Sequence, residues 1–111
     1  MPSASADRAV RLLRRVFHRL DTPLTVRLWD GTTTRVGAPG ETSFALVFRS
    51  PKVFRQLLLH PTSLRFGEAY LGGEIDLDGD IFAAMRTANH IERMRVPLAT
   101  RFAVLAGLLR I

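Results

Sequence analysis

Four carboxylates at alternate positions of one short segment are the first candidates for chemistry: Glu74, Asp76, Asp78 and Asp80. Calcium loops use oxygen ligands at alternate positions, but they also need glycine at the sixth position and a bidentate glutamate at the twelfth. Counted from Asp76, the glycine is the fourth residue and Thr87 is the twelfth. We therefore interpret the segment as a solvated strand face followed by a helix cap, and we predict no metal site.

The three histidines, His18, His60 and His90, lie far apart and lack metal-ligand spacing. His18 falls on the polar side of a predicted first helix, and His60 precedes a proline where a helix should end. The chain contains no cysteine. It also lacks the Gly-x-Ser-x-Gly turn of serine hydrolases and a phosphate-binding glycine loop. The sequence therefore predicts no catalytic residue.

Arginine dominates the charge of this chain. Sixteen basic residues against ten acidic ones give a formal net charge of +6, and Lys52 is the only lysine. Arginine favours bidentate phosphate contacts, on lipid headgroups or on nucleic acid, although a GC-rich coding sequence would also enrich arginine. The length of 111 residues, with 47% of them hydrophobic, fits one soluble globular domain. The lack of cysteine excludes a disulfide-built secreted scaffold.

A helix over residues 6–20 would collect many of these arginines on one side. The residues on that side are Arg8, Arg11, Arg15 and Arg19. The apolar residues opposite them are Val10, Leu13, Val16, Phe17 and Leu20. Such a helix either lies in a membrane interface or packs its apolar side on a sheet, and the short chain favours packing. The two interpretations are compatible, because arginines around a packed helix still attract anionic lipid.

Alternating residues and turn signals predict four strands and further helices beyond this first one. The strands span residues 24–28, 32–36, 43–49 and 74–78, with a hairpin turn at Asp30-Gly31. We expect the first three strands to form an antiparallel meander and the fourth to be an edge strand. Helices are expected from Ser50-Pro51 to His60-Pro61, over 62–71, over 81–95 with Asp80 as the cap, and over 98–109.

One face of the third strand is strongly apolar. Phe44, Leu46 and Phe48 share that face, and Phe54 and Leu58 follow in the next helix. By default these residues form core. If the helices cover the face incompletely, the same residues would line a channel for an acyl chain. Periodicity does not separate a filled core from a lined cavity, so these five residues are candidates for lipid binding.

Three segments of the chain carry a family resemblance. They are Arg27-Leu28-Trp29-Asp30-Gly31, Phe48-Arg49-Ser50-Pro51 and, above all, the run from Arg65 to Ile81. Over residues 26–85 the sequence resembles the N-terminal domain of the bacterial cyclopropane-fatty-acyl-phospholipid synthase family. The most specific motif residues are Gly67, Glu68, Tyr70, Gly73, Glu74 and Asp76. A structural role is expected for them, with the Glu68 or Tyr70 side chain fixing a helix-to-strand turn.

The resemblance implies a sterol-carrier-protein-like α+β fold. In that family the module precedes an S-adenosylmethionine-dependent methyltransferase domain and is implicated in docking phospholipid. The matched region holds none of the family's cofactor-loop or active-site residues, so S-adenosylmethionine is expected only in a partner domain. The chain would then be a separately encoded lipid-binding subunit, a truncated gene product or an expressed domain.

These observations predict an α+β fold with a small antiparallel sheet of about four strands covered by helices. Three segments are expected: a basic amphipathic helix (1–23), a lipid-binding-like domain (24–95) and an apolar helix or linker (96–111). Within the last segment, Leu98 to Ile111 would offer an apolar surface to a methyltransferase domain or subunit. We expect a non-catalytic, cytoplasmic protein, peripheral to the inner membrane, that binds phospholipid or an anionic membrane surface.

Three other interpretations remain open: a stand-alone lipid carrier, a truncated remnant without a role, and a basic nucleic-acid-binding protein. Two features argue against nucleic acid as the partner. The arginines lie mainly on one predicted helix, and a single tryptophan and a single tyrosine offer little base stacking.

Overall fold

Helices and strands alternate irregularly along the chain in the computed structural model, which describes residues 4–18, 20–94 and 105–109. The elements are α1 (Ala4–Phe17), β1 (Pro23–Arg27), β2 (Thr33–Gly37), β3 (Phe44–Phe48), α2 (Pro51–Leu59), α3 (Ser63–Leu71), β4 (Ile75–Gly79) and α4 (Ile81–Arg93). The predicted α+β class, with four strands in one sheet and an N-terminal helix, is confirmed. Residues 105–108 are helical, and the rest of the predicted segment 98–109 lies outside the described residues.

Side-chain caps mark the starts of α2, α3 and α4, and two of these caps were predicted from the sequence. The Ser50 hydroxyl accepts a hydrogen bond from the Val53 amide at 3.4 Å, at the start of α2. The Asp80 carboxylate accepts from the amides of Phe82 at 2.9 Å and Ala83 at 3.3 Å, at the start of α4. Both residues are the caps that the sequence predicted, since such side chains satisfy amides that have no partner within the helix.

The sheet is mixed, with the strand order β2-β1-β3-β4. The antiparallel meander predicted for the first three strands is wrong, because β1 and β3 pair in parallel. The hairpin brings Gly37, at the end of β2, beside Pro23, at the start of β1. Residues 38–43 then pass this end of β1, where the Ala38 amide donates to the Thr22 carbonyl at 3.3 Å. Strand β3 therefore begins on the other side of β1 and runs in the same direction.

The described helices cover one face of the sheet and leave its other face, which we call the open face, uncovered by any described helix. Buried apolar strand residues on the covered face are Leu24, Val26, Val36, Phe44, Phe48 and Ile75. Helix α1 adds Ala6, Ala9, Leu13 and Phe17 to the same core, which confirms that its apolar side packs. On the open face, Arg27 lies 3.9 Å from Asp78, and Arg49 lies 3.4 Å from Asp76. The acidic strand is thus a solvated face, as expected.

Three aromatic rings anchor helix α2 to the sheet. The ring of Phe54 is fully buried and meets the rings of Trp29 and Phe48 edge-on, with centroids 5.7 and 5.2 Å away. Edge-to-face aromatic pairs at these distances stabilise a fold beyond the area that they bury. Helix α2 is therefore held firmly where the strands β1 and β3 end.

Candidate functional site

A small apolar cavity of about 70 Å³ lies between the sheet and the helices. Its floor is the covered face of β1 and β3, formed by Leu24, Val26, Phe44, Leu46 and Phe48. Its walls come from all four helices and the turn between α2 and α3: Leu13, Phe17, Leu57, Leu58, Pro61, Thr62, Phe66, Ala84, Thr87, Ala88 and Ile91. The fold thus assembles the cavity from two of the four strands and from helices α1 to α4.

The lining of the cavity is almost entirely apolar. Among the described residues, none that lines the cavity is charged. The Thr62 hydroxyl accepts from the Arg65 amide at 3.2 Å, and the Thr87 hydroxyl donates to the Ala83 carbonyl at 3.0 Å. Both hydroxyls are therefore engaged within their own helices. This arrangement suits a hydrocarbon chain and would penalise a charged ligand, because burying an unpaired charge is costly.

The size of the cavity limits what it accepts. Pockets for drug-sized ligands occupy roughly 300–1,000 Å³, whereas this cavity measures about 70 Å³. Leu46, Leu58 and Ile91 are only half-buried in its lining, and Pro61, at the turn between α2 and α3, is exposed. The cavity therefore reaches the surface and fits a segment of an apolar chain, and not a whole lipid.

Four of the five residues predicted to bind lipid line this cavity: Phe44, Leu46, Phe48 and Leu58. Phe54 does not, because it is fully buried against Trp29 and Phe48. Sequence reasoning missed the walls supplied by α1 and α4. On α4 the signal was present, since Ala84, Ala88 and Ile91 recur at helical spacing, but spacing alone does not show where small side chains leave space.

The arginines of α1 lie away from the cavity, on the exposed side of the helix. Arg8, Arg11 and Arg15 are exposed, as the sequence predicted, and so is Arg14. Within the described part of the chain, Arg11, Arg14 and Arg15 form no ion pair. Arg19 lies outside the described residues. The exposed side of α1 is consequently a cationic surface available to an anionic partner.

The histidines serve local contacts. The His90 imidazole lies 2.9 Å from the Asp21 carboxylate and so ties α4 to the segment that follows α1. His18 Nδ1 lies 2.9 Å from the carbonyl oxygen of Arg15. In residues 4–18, 20–94 and 105–109, no three His, Cys, Asp or Glu side chains come together in a way that could hold a metal ion.

The family motif residues build the turn from α3 into β4. Three backbone amides, those of Gly72, Gly73 and Glu74, donate to the carbonyls of Glu68, Tyr70 and Ala69 at 2.9, 3.1 and 2.9 Å. Gly73 has a φ of +72°, a left-handed conformation that favours glycine. The side chains of Glu68 and Tyr70 are exposed. The turn therefore depends on main-chain hydrogen bonds, which replace the side-chain role expected for these two residues.

These features define a two-layer α+β domain with an apolar cavity beneath its helices. The chain belongs to a family described as a domain of unknown function, DUF7884, whose model matches residues 11–95. A protein named "Probable fatty acid methyltransferase" from Pseudomonas putida is 31% identical over 72 residues, which are 65% of this chain and 18% of that protein. The chain therefore spans less than a fifth of that relative. No solved structure matches.

This chain is therefore similar to a segment of a probable fatty acid methyltransferase. The finer resemblance to cyclopropane-fatty-acyl-phospholipid synthases and the sterol-carrier-protein-like fold stay predictions. Of the helices described, none has the length and apolar character needed to cross a membrane.

Proposed function

We propose that this chain is a non-catalytic accessory domain that binds a phospholipid by its acyl chain and presents it to a methyltransferase. The apolar cavity carries the proposal, because it opens to the surface and none of the described residues that line it is charged. Removing hydrocarbon from water supplies the driving force for such binding. The similarity to a fatty acid methyltransferase favours an acyl chain over other apolar ligands.

The arginines of α1 supply the second part of the proposed binding mode. Arg8, Arg11 and Arg15 lie exposed on a chain of net charge +6. Each arginine close to an anionic bilayer contributes about 1 kcal/mol of attraction. In this proposal they hold the domain on anionic headgroups at the cytoplasmic face of the membrane, while the cavity accepts a segment of one acyl chain.

Methyl transfer itself is assigned to a partner domain or subunit, which would bind S-adenosylmethionine. This chain contributes binding and orientation of the lipid. The segment from Leu98 to Ile111, which the sequence proposed as the partner-contacting surface, lies largely outside the described residues. Within its described part, Leu108 is buried in the core, while Leu105 and Leu109 are exposed.

Methyl-resolved NMR during a titration with a long-chain fatty acid, below its aggregation concentration, tests the cavity. We expect saturable shifts at the methyl groups of Leu46, Leu58 and Ile91, because these half-buried groups line the cavity. The methyl groups of Leu59 and Leu64, which lie outside it, are the internal control. Shifts confined to such exposed residues, or no saturable shifts, would contradict the proposal.

A charge reversal on α1 tests the headgroup contact. Arg11→Glu with Arg15→Glu should abolish cosedimentation with vesicles that contain anionic phosphatidylglycerol, and raising the salt concentration should weaken binding of the unmodified protein. Arg35→Glu with Lys52→Glu is the matched control, since it reverses two exposed charges elsewhere. If both pairs of substitutions reduced vesicle binding equally, the net charge of the chain, and not the position of the arginines, would determine binding. Tighter binding to mixed oligonucleotides than to vesicles would favour the nucleic-acid interpretation.

A further inference from the structure

The exposed apolar side chains of this domain are concentrated on two helices. Of nine large hydrophobic residues described as exposed, six lie on α3 or α4. They are Leu64, Tyr70, Leu71, Ile81, Phe82 and Met85, and we call them the α3–α4 face. Leu71 is 86% exposed and Phe82 is 74% exposed. A concentration of apolar residues at the surface commonly marks a site of interaction with a protein or a membrane.

The two helices are direct neighbours. The Ser63 hydroxyl, at the start of α3, donates to the side chains of Asn89 at 2.5 Å and Glu92 at 2.8 Å on α4. Met85 precedes Asn89 by one helical turn, and Ile81 precedes Met85 by another. Residues one turn apart share a side of a helix. Ile81 and Met85 therefore continue the side of α4 that contacts α3.

The surface is open along α3 beside this contact. Gly67 follows Ser63 by one turn, and apart from its chain neighbours and the backbone of its own helix, no atom of the described residues lies within 4 Å of the point where a Cβ on Gly67 would stand. Its chain neighbour Phe66 lines the apolar cavity from the inside, and so do Ala84 and Ala88 on α4. The same two helices thus separate the cavity on their inner sides from the α3–α4 face on their outer sides.

Exposed arginines flank the apolar residues of the face on α4. Arg86 follows Phe82 by one turn on α4, Arg93 follows it by about three turns, and both arginines are exposed. Within the described residues neither arginine forms an ion pair. Four carboxylates also lie near the face: Glu68 and Glu74 are exposed, while Asp80 caps α4 and Glu92 accepts the hydrogen bond from Ser63. Apolar residues flanked by arginines are typical of helices that lie in a membrane interface.

We propose that the α3–α4 face inserts its apolar side chains into the outer part of an anionic lipid bilayer. This places the wall of the cavity directly on the membrane from which an acyl chain would come. The inference rests on the proposed function for the identity of the ligand, while the insertion itself is a separate property of the surface. The arginines of α1, in the same helical layer, would add attraction to the headgroups.

Tryptophan fluorescence tests the insertion. In a Trp29→Phe background, Phe82→Trp provides a single reporter on the face, and Leu109→Trp is the matched control, because Leu109 is 82% exposed elsewhere. With phosphatidylglycerol vesicles that carry brominated acyl chains, we expect at least twofold quenching of Phe82→Trp and almost none of Leu109→Trp. Equal quenching of both reporters, or none in a protein that cosediments with the vesicles, would overturn the proposal.

A second pair of variants separates insertion from acyl-chain binding. Leu71→Glu with Phe82→Glu should weaken vesicle binding at least tenfold and leave fatty acid binding in solution unchanged. Residue 82 lies in the first turn of α4, where a carboxylate is favourable, so the fold should persist. Leu59→Glu with Leu109→Glu is the control on other exposed leucines. The inference would be overturned if Leu71→Glu with Phe82→Glu still bound vesicles. It would also be overturned if this pair of substitutions changed only the self-association of the chain, measured by light scattering.

The two proposals can fail separately. Insertion of Phe82→Trp without any saturable fatty acid binding would leave the α3–α4 face as a membrane surface and refute the acyl-binding cavity. Fatty acid binding without insertion would support the acyl-binding cavity and refute the insertion of the α3–α4 face.

Discussion

Single glycines decide two backbone paths in this domain. At Gly79, which ends β4, φ is +121°, and a Cβ would collide with the carbonyl oxygen of Ser43. Gly73 needs its left-handed conformation to turn α3 into β4. Gly67 has neither constraint, because it lies inside a helix with open space around it. All three lie in the run from Arg65 to Ile81 that carries the family resemblance, but only Gly73 and Gly79 have a backbone conformation that favours glycine.

Substitution by alanine should therefore have opposite effects at two of these glycines. We expect Gly79→Ala to lower the free energy of unfolding by more than ~1 kcal/mol, because alanine is incompatible with that backbone conformation. Gly67→Ala should raise it by ~0.5–1 kcal/mol, because alanine favours the helix. Urea denaturation followed by circular dichroism measures both. Equal effects of the two substitutions would show that the local geometry described here is wrong.

Residue spacing predicted much of the cavity floor, but it wrongly assigned the ring of Phe54 to the cavity lining. Phe54 and Leu58 lie one turn apart on α2, and both point toward the sheet. Only Leu58 reaches the cavity, because Phe54 is enclosed by Trp29 and Phe48. Helical spacing identifies the inward side of a helix, but the distinction between closed and open core depends on contacts between elements distant in sequence.

Among the helices and strands, local chemistry was sufficient to predict where helices begin, but it was insufficient to predict which strands pair. A cap acts through hydrogen bonds within its own first turn, so Ser50 and Asp80 could be recognised from the sequence. Alternation identifies a strand but carries no information about its neighbour. The parallel pairing of β1 with β3 depends on the path of residues 38–43, which no periodicity reveals.

In helix α1, the exposed side was predicted from the sequence more accurately than the buried side. The arginine side was predicted from the helical wheel, and its described members are exposed. The buried side differs in detail, because Ala6 and Ala9 are fully buried while Val10 and Val16 are only half-buried. Small side chains allow α1 to approach the sheet closely, and a hydrophobicity pattern gives little weight to alanine.

Removal of the cap of α4 should have a defined cost. Asp80→Ala is expected to lower the free energy of unfolding by ~1 kcal/mol, because two helix amides would lose their acceptor. The control is Asp78→Ala, which removes an exposed carboxylate 3.9 Å from Arg27. Such surface pairs contribute ~0–1 kcal/mol, with many near zero. A thermal melt in which Asp78→Ala is the more damaging variant would argue against the assigned cap.

The whole molecule separates its polar and apolar surfaces by layer. The open face of the sheet pairs Arg27 and Arg49 with carboxylates, so much of its charge is compensated. The helical layer carries the exposed arginines of α1 and the apolar α3–α4 face, and the cavity lies beneath it. In the proposed account, a membrane therefore contacts the helical layer, and the sheet forms the back of the domain.

A substitution that fills the cavity tests directly whether an acyl chain binds there. Ala88→Leu adds three carbon atoms to the lining of a cavity of about 70 Å³. The same change on the open face of the sheet, Ala45→Leu, is the control, because Ala45 precedes Leu46 and faces away from the cavity. Stability is measured in parallel, since filling a void commonly adds ~0.5–2 kcal/mol.

The decisive measurement is the dissociation constant of a long-chain fatty acid for the unmodified chain and these two variants. If the cavity binds the acyl chain, the unmodified chain and Ala45→Leu should both bind the fatty acid saturably. Binding to an Ala88→Leu variant that is folded and no less stable should be at least tenfold weaker. Undiminished binding to that variant, or no saturable binding to the unmodified chain, would contradict acyl-chain binding in the cavity.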